Sequence, residues 1–110
     1  MTDEEIRVET KAFVDKLHDT DTYRKYCYER DRIKQHPDLY AEVNEYRRKT
    51  FELQNNTDQD KLFDALDAYE KEYEKFRENP IVEGFLKAEL AYCRLMQELN
   101  DIIMDHLDFE

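Results

Sequence analysis

The stretch from Asn79 to Leu107, NPIVEGFLKAELAYCRLMQELNDIIMDHL, constrains the fold more than any other part of the chain. Wound at 3.6 residues per turn, it places Glu83, Lys87, Arg94, Glu98, Asp101 and Asp105 in one narrow polar sector. Its apolar side chains cover an arc far wider than the ~100° that a helix lying on one core requires. We therefore predict a long terminal helix, about 40 Å at ~1.5 Å per residue, that is covered from two sides. The apolar positions are Ile81, Val82, Phe85, Leu86, Leu90, Tyr92, Cys93, Leu95, Met96, Leu99, Ile102, Ile103 and Leu107.

Glu89 lies inside this apolar arc, and a carboxylate there requires a partner. One interpretation is a structural ion pair or hydrogen bond with Arg47, Arg30 or Tyr46 from another helix. The other is that Glu89 sets the pairing register between subunits or partner chains, as buried polar groups do in coiled coils. Asn100 also lies in the arc and favours the second interpretation slightly.

The composition of the chain is typical of an all-α protein. Of its 110 residues, 41% are charged and 40% hydrophobic, with one Gly and two Pro, so good helix formers are common and turn formers are rare. The length indicates a single domain spanning residues 1–110. We predict a bundle of about five helices with a helical hairpin and a long C-terminal helix.

Capping signals divide the first third of the chain into helices. Thr2 and Glu5 form a capping-box pattern, which predicts a first helix over Asp3–His18. A second helix is predicted from about Asp21 to Gln35, and Pro37 begins the third because proline suits a first helical turn. The apolar stripes of the first two helices are Ile6, Thr10, Phe13, Val14 and Leu17, and then Tyr23, Tyr26, Cys27, Arg30 and Ile33.

Two further stripes step alternately by three and four residues, as in antiparallel bundles. Between them, Asn55–Asp60 favours turns and caps, so these helices form either an antiparallel hairpin or one long bent helix. Asn79 is the expected N-cap of the terminal helix and Pro80 its first residue, and the tail Asp105–Glu110 is expected to fray. The two stripes are Leu39, Val43, Tyr46, Thr50 and Leu53, and Leu62, Leu66, Tyr69, Tyr73 and Phe76.

The net charge of −11 disfavours direct binding to nucleic acids or anionic membranes, which rely on Lys and Arg. The one dense basic run, Arg47–Lys49, is interpreted as a solvated helix face. No apolar run approaches the ~20 residues of a membrane-spanning helix, and the N-terminus does not resemble a signal peptide. We expect a cytoplasmic protein.

The sequence offers little material for catalysis or metal binding. No Glu-x-x-His pair occurs among the three histidines, and Gly84, the only glycine, lies inside a predicted helix rather than in a phosphate loop. Cys27 and Cys93 are expected to be buried, reduced thiols. We predict no enzymatic activity, no catalytic residue, no cofactor and no metal ligand, and we interpret the tyrosines as packing residues.

Two segments carry a family resemblance, DTDTYRKYCYERDRIKQHPDLYAEVNEYRRKTFELQ and NPIVEGFLKAELAYCRLMQELNDIIMDHL. From about Ile6 to Leu107 the chain resembles the YlbF/YmcA-like family of small helical bacterial regulators. The resemblance is most specific in the terminal helix, at Asn79, Pro80, Phe85, Ala88, Glu89, Leu99, Asn100, Ile102 and Ile103. It implies an all-α fold with a hairpin and a long terminal helix, often assembled as dimers or higher oligomers.

The resemblance also implies a role in competence, sporulation and biofilm development, through complexes that modulate endoribonuclease-dependent mRNA processing. We therefore expect a regulatory adaptor that self-associates and binds protein partners, such as sister family members and an endoribonuclease. The alternatives are a purely structural oligomer and a metal or cluster carrier assembled across subunits. The expected interaction and packing residues are Phe85, Ala88, Glu89, Tyr92, Leu95, Met96, Leu99, Asn100, Ile102 and Ile103. Part of the side formed by Ala88, Leu95 and Ile102 is expected to contact another subunit.

Overall fold

The computed structural model describes residues 1–107, which form helices and no strand. Six helices lie within this part of the chain, and the all-α prediction is confirmed. They are α1 (Asp3–Leu17), α2 (Asp21–Lys34), α3 (Pro37–Asn56), α4 (Gln59–Glu72), α5 (Glu74–Glu78) and α6 (Pro80–Asp105).

The predicted starts of α1 and α6 carry the expected caps. The Glu5 amide donates to Thr2 Oγ1 at 3.1 Å while the Glu5 carboxylate accepts from the Thr2 amide, which completes the capping box. Asn79 Oδ1 accepts from the Ile81 amide at 2.9 Å, and Pro80 begins α6. The tail predicted to fray begins at the end of α6, and its residues 108–110 lie outside the described residues.

Helices α3 and α4 form an antiparallel hairpin, so one of the two predicted alternatives is confirmed. The chain leaves the helical conformation at Thr57 and Asp58. Beyond the turn, the rings of Tyr46 and Tyr69 stack at 5.5 Å, and Tyr69 Oη donates to the Tyr46 carbonyl at 2.9 Å. Lys49 Nζ donates to Tyr73 Oη at 3.0 Å. These tyrosines hold the two helices together.

The predicted fourth helix is divided at Tyr73, so the structure has six helices where about five were expected. Tyr73 has φ −100° and ψ 11°, which ends α4 and lets the short α5 turn towards α6. The turn is stabilised by Arg77, which donates to the Glu70 carbonyl at 3.2 Å and lies 2.7 Å from the Glu70 carboxylate. That contact satisfies one of the carbonyls left free at the end of α4.

The hydrophobic core lies where α2, α3 and the first half of α6 meet. Ile33, Val43 and Val82 are completely buried, and Phe85 is 2% exposed. Helix α2 runs antiparallel to α6, since Arg32 contacts Pro80 while Tyr23 contacts Tyr92. The prediction that α6 is covered from two sides is thus correct for its N-terminal half, which meets α2 and α3.

Helix α1 and the C-terminal half of α6 extend away from this core. Only Leu17 of the predicted α1 stripe is buried. The radius of gyration is 18.4 Å, whereas a compact domain of this length has about 13 Å. The extents of 54 × 39 × 18 Å describe a flat, elongated molecule. The chain alone therefore leaves much of its apolar surface uncovered.

Candidate protein-interaction surface

The largest set of uncovered apolar side chains lies between α1 and the C-terminal end of α6. Ile6, Phe13 and Ile103 line an open cleft of about 300 Å³, together with Glu9 and Thr10. Ile6 is 51% exposed, Phe13 47% and Ile103 52%. We call the surface formed by Ile6, Phe13 and Ile103 the α1–α6 surface.

Other apolar side chains on the same two segments are also exposed. They include Val8, Val14, Ile102, Met104 and Leu107. With roughly 200 Å² for a fully exposed residue of this size, half exposure of the three cleft residues Ile6, Phe13 and Ile103 leaves on the order of 300 Å² of apolar surface on one side of the molecule. The largest apolar patch on a typical monomeric protein is about 300–600 Å² and is often a functional site. The α1–α6 surface is therefore a candidate interaction surface.

The predicted interaction residues fall into three groups along α6. Phe85 and Ala88 are buried, Ala88 at 3% exposure, so the predicted contact with another subunit can involve only the Leu95 and Ile102 part of that side. Half-buried positions follow at Glu89, Tyr92, Leu95 and Leu99, and exposed ones at Met96, Asn100, Ile102 and Ile103. Of these, Ile103 belongs to the α1–α6 surface. Buried positions give way to exposed ones along α6 because α2 and α3 cover only its N-terminal half.

Glu89 has an ionic partner within the chain. Its carboxylate accepts from Arg47 Nη2, and the Arg47 guanidinium also lies 5.3 Å above the centre of the Phe85 ring. The side chains of Arg47 and Glu89 are 39% and 28% exposed. The interpretation of Glu89 as one half of a structural ion pair with Arg47 is confirmed. Asn100 is exposed and lies on the half of α6 that the core does not reach.

A second cleft of about 340 Å³ lies between α2 and α6, lined by Tyr23, Tyr26, Glu89, Tyr92 and Cys93. The Tyr92 ring packs at 5.3 Å from Tyr23 and edge-on at 5.1 Å from Tyr26. Burial and the nearby Glu89 carboxylate raise the pKa of Tyr26. The rings contact one another, as the packing interpretation of the tyrosines requires.

Sequence reasoning missed the contact between α2 and the start of α6. Glu29 is 8% exposed, and its carboxylate lies 3.1 Å from Arg32, which donates to the Pro80 carbonyl at 3.0 Å. A Cβ added at Gly84 would lie 2.6 Å from Glu29 Oε2. Gly84 therefore lets the buried carboxylate approach α6. The available signal was the position of Glu29, three residues after Tyr26 and four before Ile33, which places it on the same side of α2 as these two stripe residues.

The cysteines differ from the prediction of two buried thiols. Cys27 is half-buried and Cys93 is exposed, because Cys93 lies where α6 leaves the core; both are free. Within residues 1–107, no group of three or more His, Cys, Asp or Glu side chains is placed to hold a metal ion. No helix of this described part is long and apolar enough to cross a membrane.

Comparison with known proteins identifies the family of the chain. Residues 6–108 match the family described as control of competence regulator ComK, YlbF/YmcA. The chain belongs to this family, which gives it a regulatory role. It is also similar to a UPF0342 protein of Caldicellulosiruptor bescii, with 21% identity over 96 residues, which cover 86% of this chain and 81% of that protein. No solved structure matches the chain significantly.

Proposed function

We propose that the protein is a non-enzymatic, cytoplasmic regulatory adaptor that self-associates through the α1–α6 surface and binds other proteins. The observation that carries the proposal is the exposure of Ile6, Phe13 and Ile103 around one cleft. Membership of a regulatory family supports a role exerted through binding rather than turnover.

A second copy of the chain is a suitable occupant of the α1–α6 surface. The cleft is lined by one charged side chain, Glu9, so two copies can meet there without opposing many like charges. In a twofold contact each copy buries the same patch. Two copies of the three-residue patch supply on the order of 600 Å² of buried apolar surface, and the polar side chains around the cleft would supply the rest of the ~1,200–2,000 Å² that stable complexes bury.

We further propose that the assembled protein binds sister family members and an endoribonuclease, and so modulates mRNA processing during competence, sporulation or biofilm development. The resemblance noted from the sequence implies these partners, and the family description supports regulation of competence.

Self-association is tested with the double variant Phe13→Glu/Ile103→Glu. Both side chains are about half exposed, so the helical content by circular dichroism should be unchanged. In sedimentation experiments the wild type should be a dimer or larger, and the variant should have the 13.5 kDa mass of one chain. Tyr28→Glu, at a residue 63% exposed on α2, is the matched control and should retain the wild-type mass. A monomeric wild type would refute self-association.

The proposed regulatory role of the protein requires an experiment in the native cell. The wild-type chain should copurify with the endoribonuclease and sister proteins, and deleting its gene should alter the processing of the target transcripts. Copurification of the chain with itself alone, combined with normal transcript processing in the deletion strain, would favour the purely structural oligomer.

A further inference from the structure

Two phenylalanines near the tip of the α3–α4 hairpin are exposed well beyond the usual range for this residue. Phe51 is 66% exposed and Phe63 is 80% exposed. Phe51 directly follows Thr50, and Phe63 directly follows Leu62, and these two preceding residues belong to the stripes along which α3 and α4 face each other. Each phenylalanine is therefore rotated by ~100° about its helix axis from the contact between the two helices. Both lie six residues from Thr57 in the turn, so they are level with each other.

The antiparallel geometry places both rings on one face of the hairpin. Two antiparallel helices have opposite screw directions when seen from one end, so an equal rotation away from their contact leads to the same side. This face of α3 also carries Arg47, which contacts Phe85 and Glu89 on α6. Phe51 lies one turn beyond Arg47, where α6 no longer covers the hairpin.

The part of the hairpin from residue 50 to residue 67, which carries the two rings, is acidic. Residues 50–67 contain five carboxylates, Glu52, Asp58, Asp60, Asp64 and Asp67, and a single cation, Lys61. Asp60 and Asp67 stand three residues before and four residues after Phe63, so they lie on the same side of α4. Asp67 also forms an ion pair of 3.3 Å with Lys71, but both side chains are more than half exposed, so this pair is weak and leaves the carboxylate accessible.

A second copy of this chain is a poor occupant for the tip. It carries a net charge of −11, and its one dense basic run is already bound within the chain. Arg47 contacts Glu89, Arg48 contacts Glu45 and Glu52, and Lys49 donates to Tyr73.

We infer that the hairpin tip, formed by Phe51 and Phe63 with Asp60 and Asp67, is a docking site for a basic amphipathic helix of a different protein. The apolar side of that helix would cover the two rings and continue the layer that α6 forms on the hairpin. Its Lys or Arg side chains would face Asp60 and Asp67. The inference rests on the proposed adaptor function and assigns partner binding to a surface separate from the α1–α6 surface.

The test uses a fluorescently labelled synthetic helix with Leu on one face and Lys on the other, titrated with the full chain and followed by anisotropy. Phe51→Ser/Phe63→Ser should weaken binding at least about tenfold, since aromatic anchors dominate such contacts. Asp60→Asn/Asp67→Asn should weaken it a few-fold and reduce its salt dependence. A probe with Glu in place of Lys should not bind.

The variant Phe13→Ser/Ile103→Ser is the matched control, because it removes two apolar side chains of similar exposure from the α1–α6 surface. It should bind the Lys probe as the wild type does while losing self-association. Unchanged binding by the folded Phe51→Ser/Phe63→Ser variant would overturn the inference, as would equal binding of the Glu probe. A change of oligomeric state in that tip variant would also overturn it, since the tip would then be a contact between copies.

The same measurements separate this inference from the proposed function. Failure of self-association appears as a monomeric wild type that still binds the Lys probe. Failure of the docking site appears as an oligomer in which the tip substitutions leave the affinity for the probe unchanged.

Discussion

Substitution of Gly84 tests how closely α2 and α6 are packed. In an open helix interior, Gly→Ala stabilises by about 1 kcal/mol, because Ala loses less conformational entropy on folding. Gly84 is inside α6, but an added Cβ would lie 2.6 Å from Glu29 Oε2 and 3.0 Å from Arg32 Nη2. Real Cβ atoms do not approach other atoms so closely, so α2 or its side chains must move.

The energetic cost of that movement decides whether Gly84→Ala raises or lowers the free energy of unfolding. Glu29 is 8% exposed and bound to Arg32, which in turn holds the Pro80 carbonyl. Overpacking at such a site costs about 1–3 kcal/mol. Set against the gain of about 1 kcal/mol in helix propensity, Gly84→Ala should lower the free energy of unfolding by about 1 kcal/mol.

The background variant Glu29→Ala provides the control. With the carboxylate removed, Gly84→Ala should raise the free energy of unfolding by about 0.5–1 kcal/mol. Urea unfolding of the four proteins of this double-mutant cycle should give a coupling energy of about 1–3 kcal/mol between positions 29 and 84. A coupling energy near zero, with Gly84→Ala stabilising in both backgrounds, would show that Glu29 moves aside freely and would refute the reasoning.

Three further perturbations follow from the contacts described above. Glu89→Leu leaves Arg47 unpaired and should lower the free energy of unfolding by about 1 kcal/mol, given the partial exposure of the pair; a changed mass in sedimentation would instead indicate a role between subunits. Burial raises the pKa of Tyr69 to about 12, so the folded state holds this proton more tightly than the unfolded chain. The stabilisation that results is complete below pH 10 and is lost as the pH rises to 12. The urea midpoint of unfolding should therefore fall less between pH 10 and pH 12 for Tyr69→Phe than for the wild type or for the exposed control Tyr28→Phe. Asn79→Ala should destabilise α6 by about 1 kcal/mol and Asn79→Gly by only a few tenths, as measured by thermal unfolding; equal losses would exclude the cap as the cause.

The sequence was informative wherever the structure is local. The capping box at Thr2 and Glu5, the start of α3 at Pro37 and the cap of α6 at Asn79 depend on neighbouring residues and are found as predicted. The α3 and α4 stripes likewise meet in a hairpin, because spacings of three and four residues place side chains on one side of a helix.

Sequence reasoning was less successful where the position of another helix mattered. The division of the fourth helix at Tyr73 and the exposure of Cys93 were not anticipated. The sequence did not reveal that Glu29 is buried or that a side chain at position 84 would collide with it, because both depend on how α2 crosses α6. An amphipathic pattern shows that a face must be covered without showing which helix covers it.

The amino-acid sequence by itself therefore determined the helical class, most helix boundaries, the apolar faces and the family resemblance, since these depend on residue spacing and on local hydrogen bonds. Only the tertiary structure decided which apolar faces remain uncovered. Helices α2 and α3 bury the first half of α6, while Ile103 and the apolar face of α1 stay at the surface. That division follows from the lengths and directions of the helices, which bring partners to one half of α6 and leave the other half exposed.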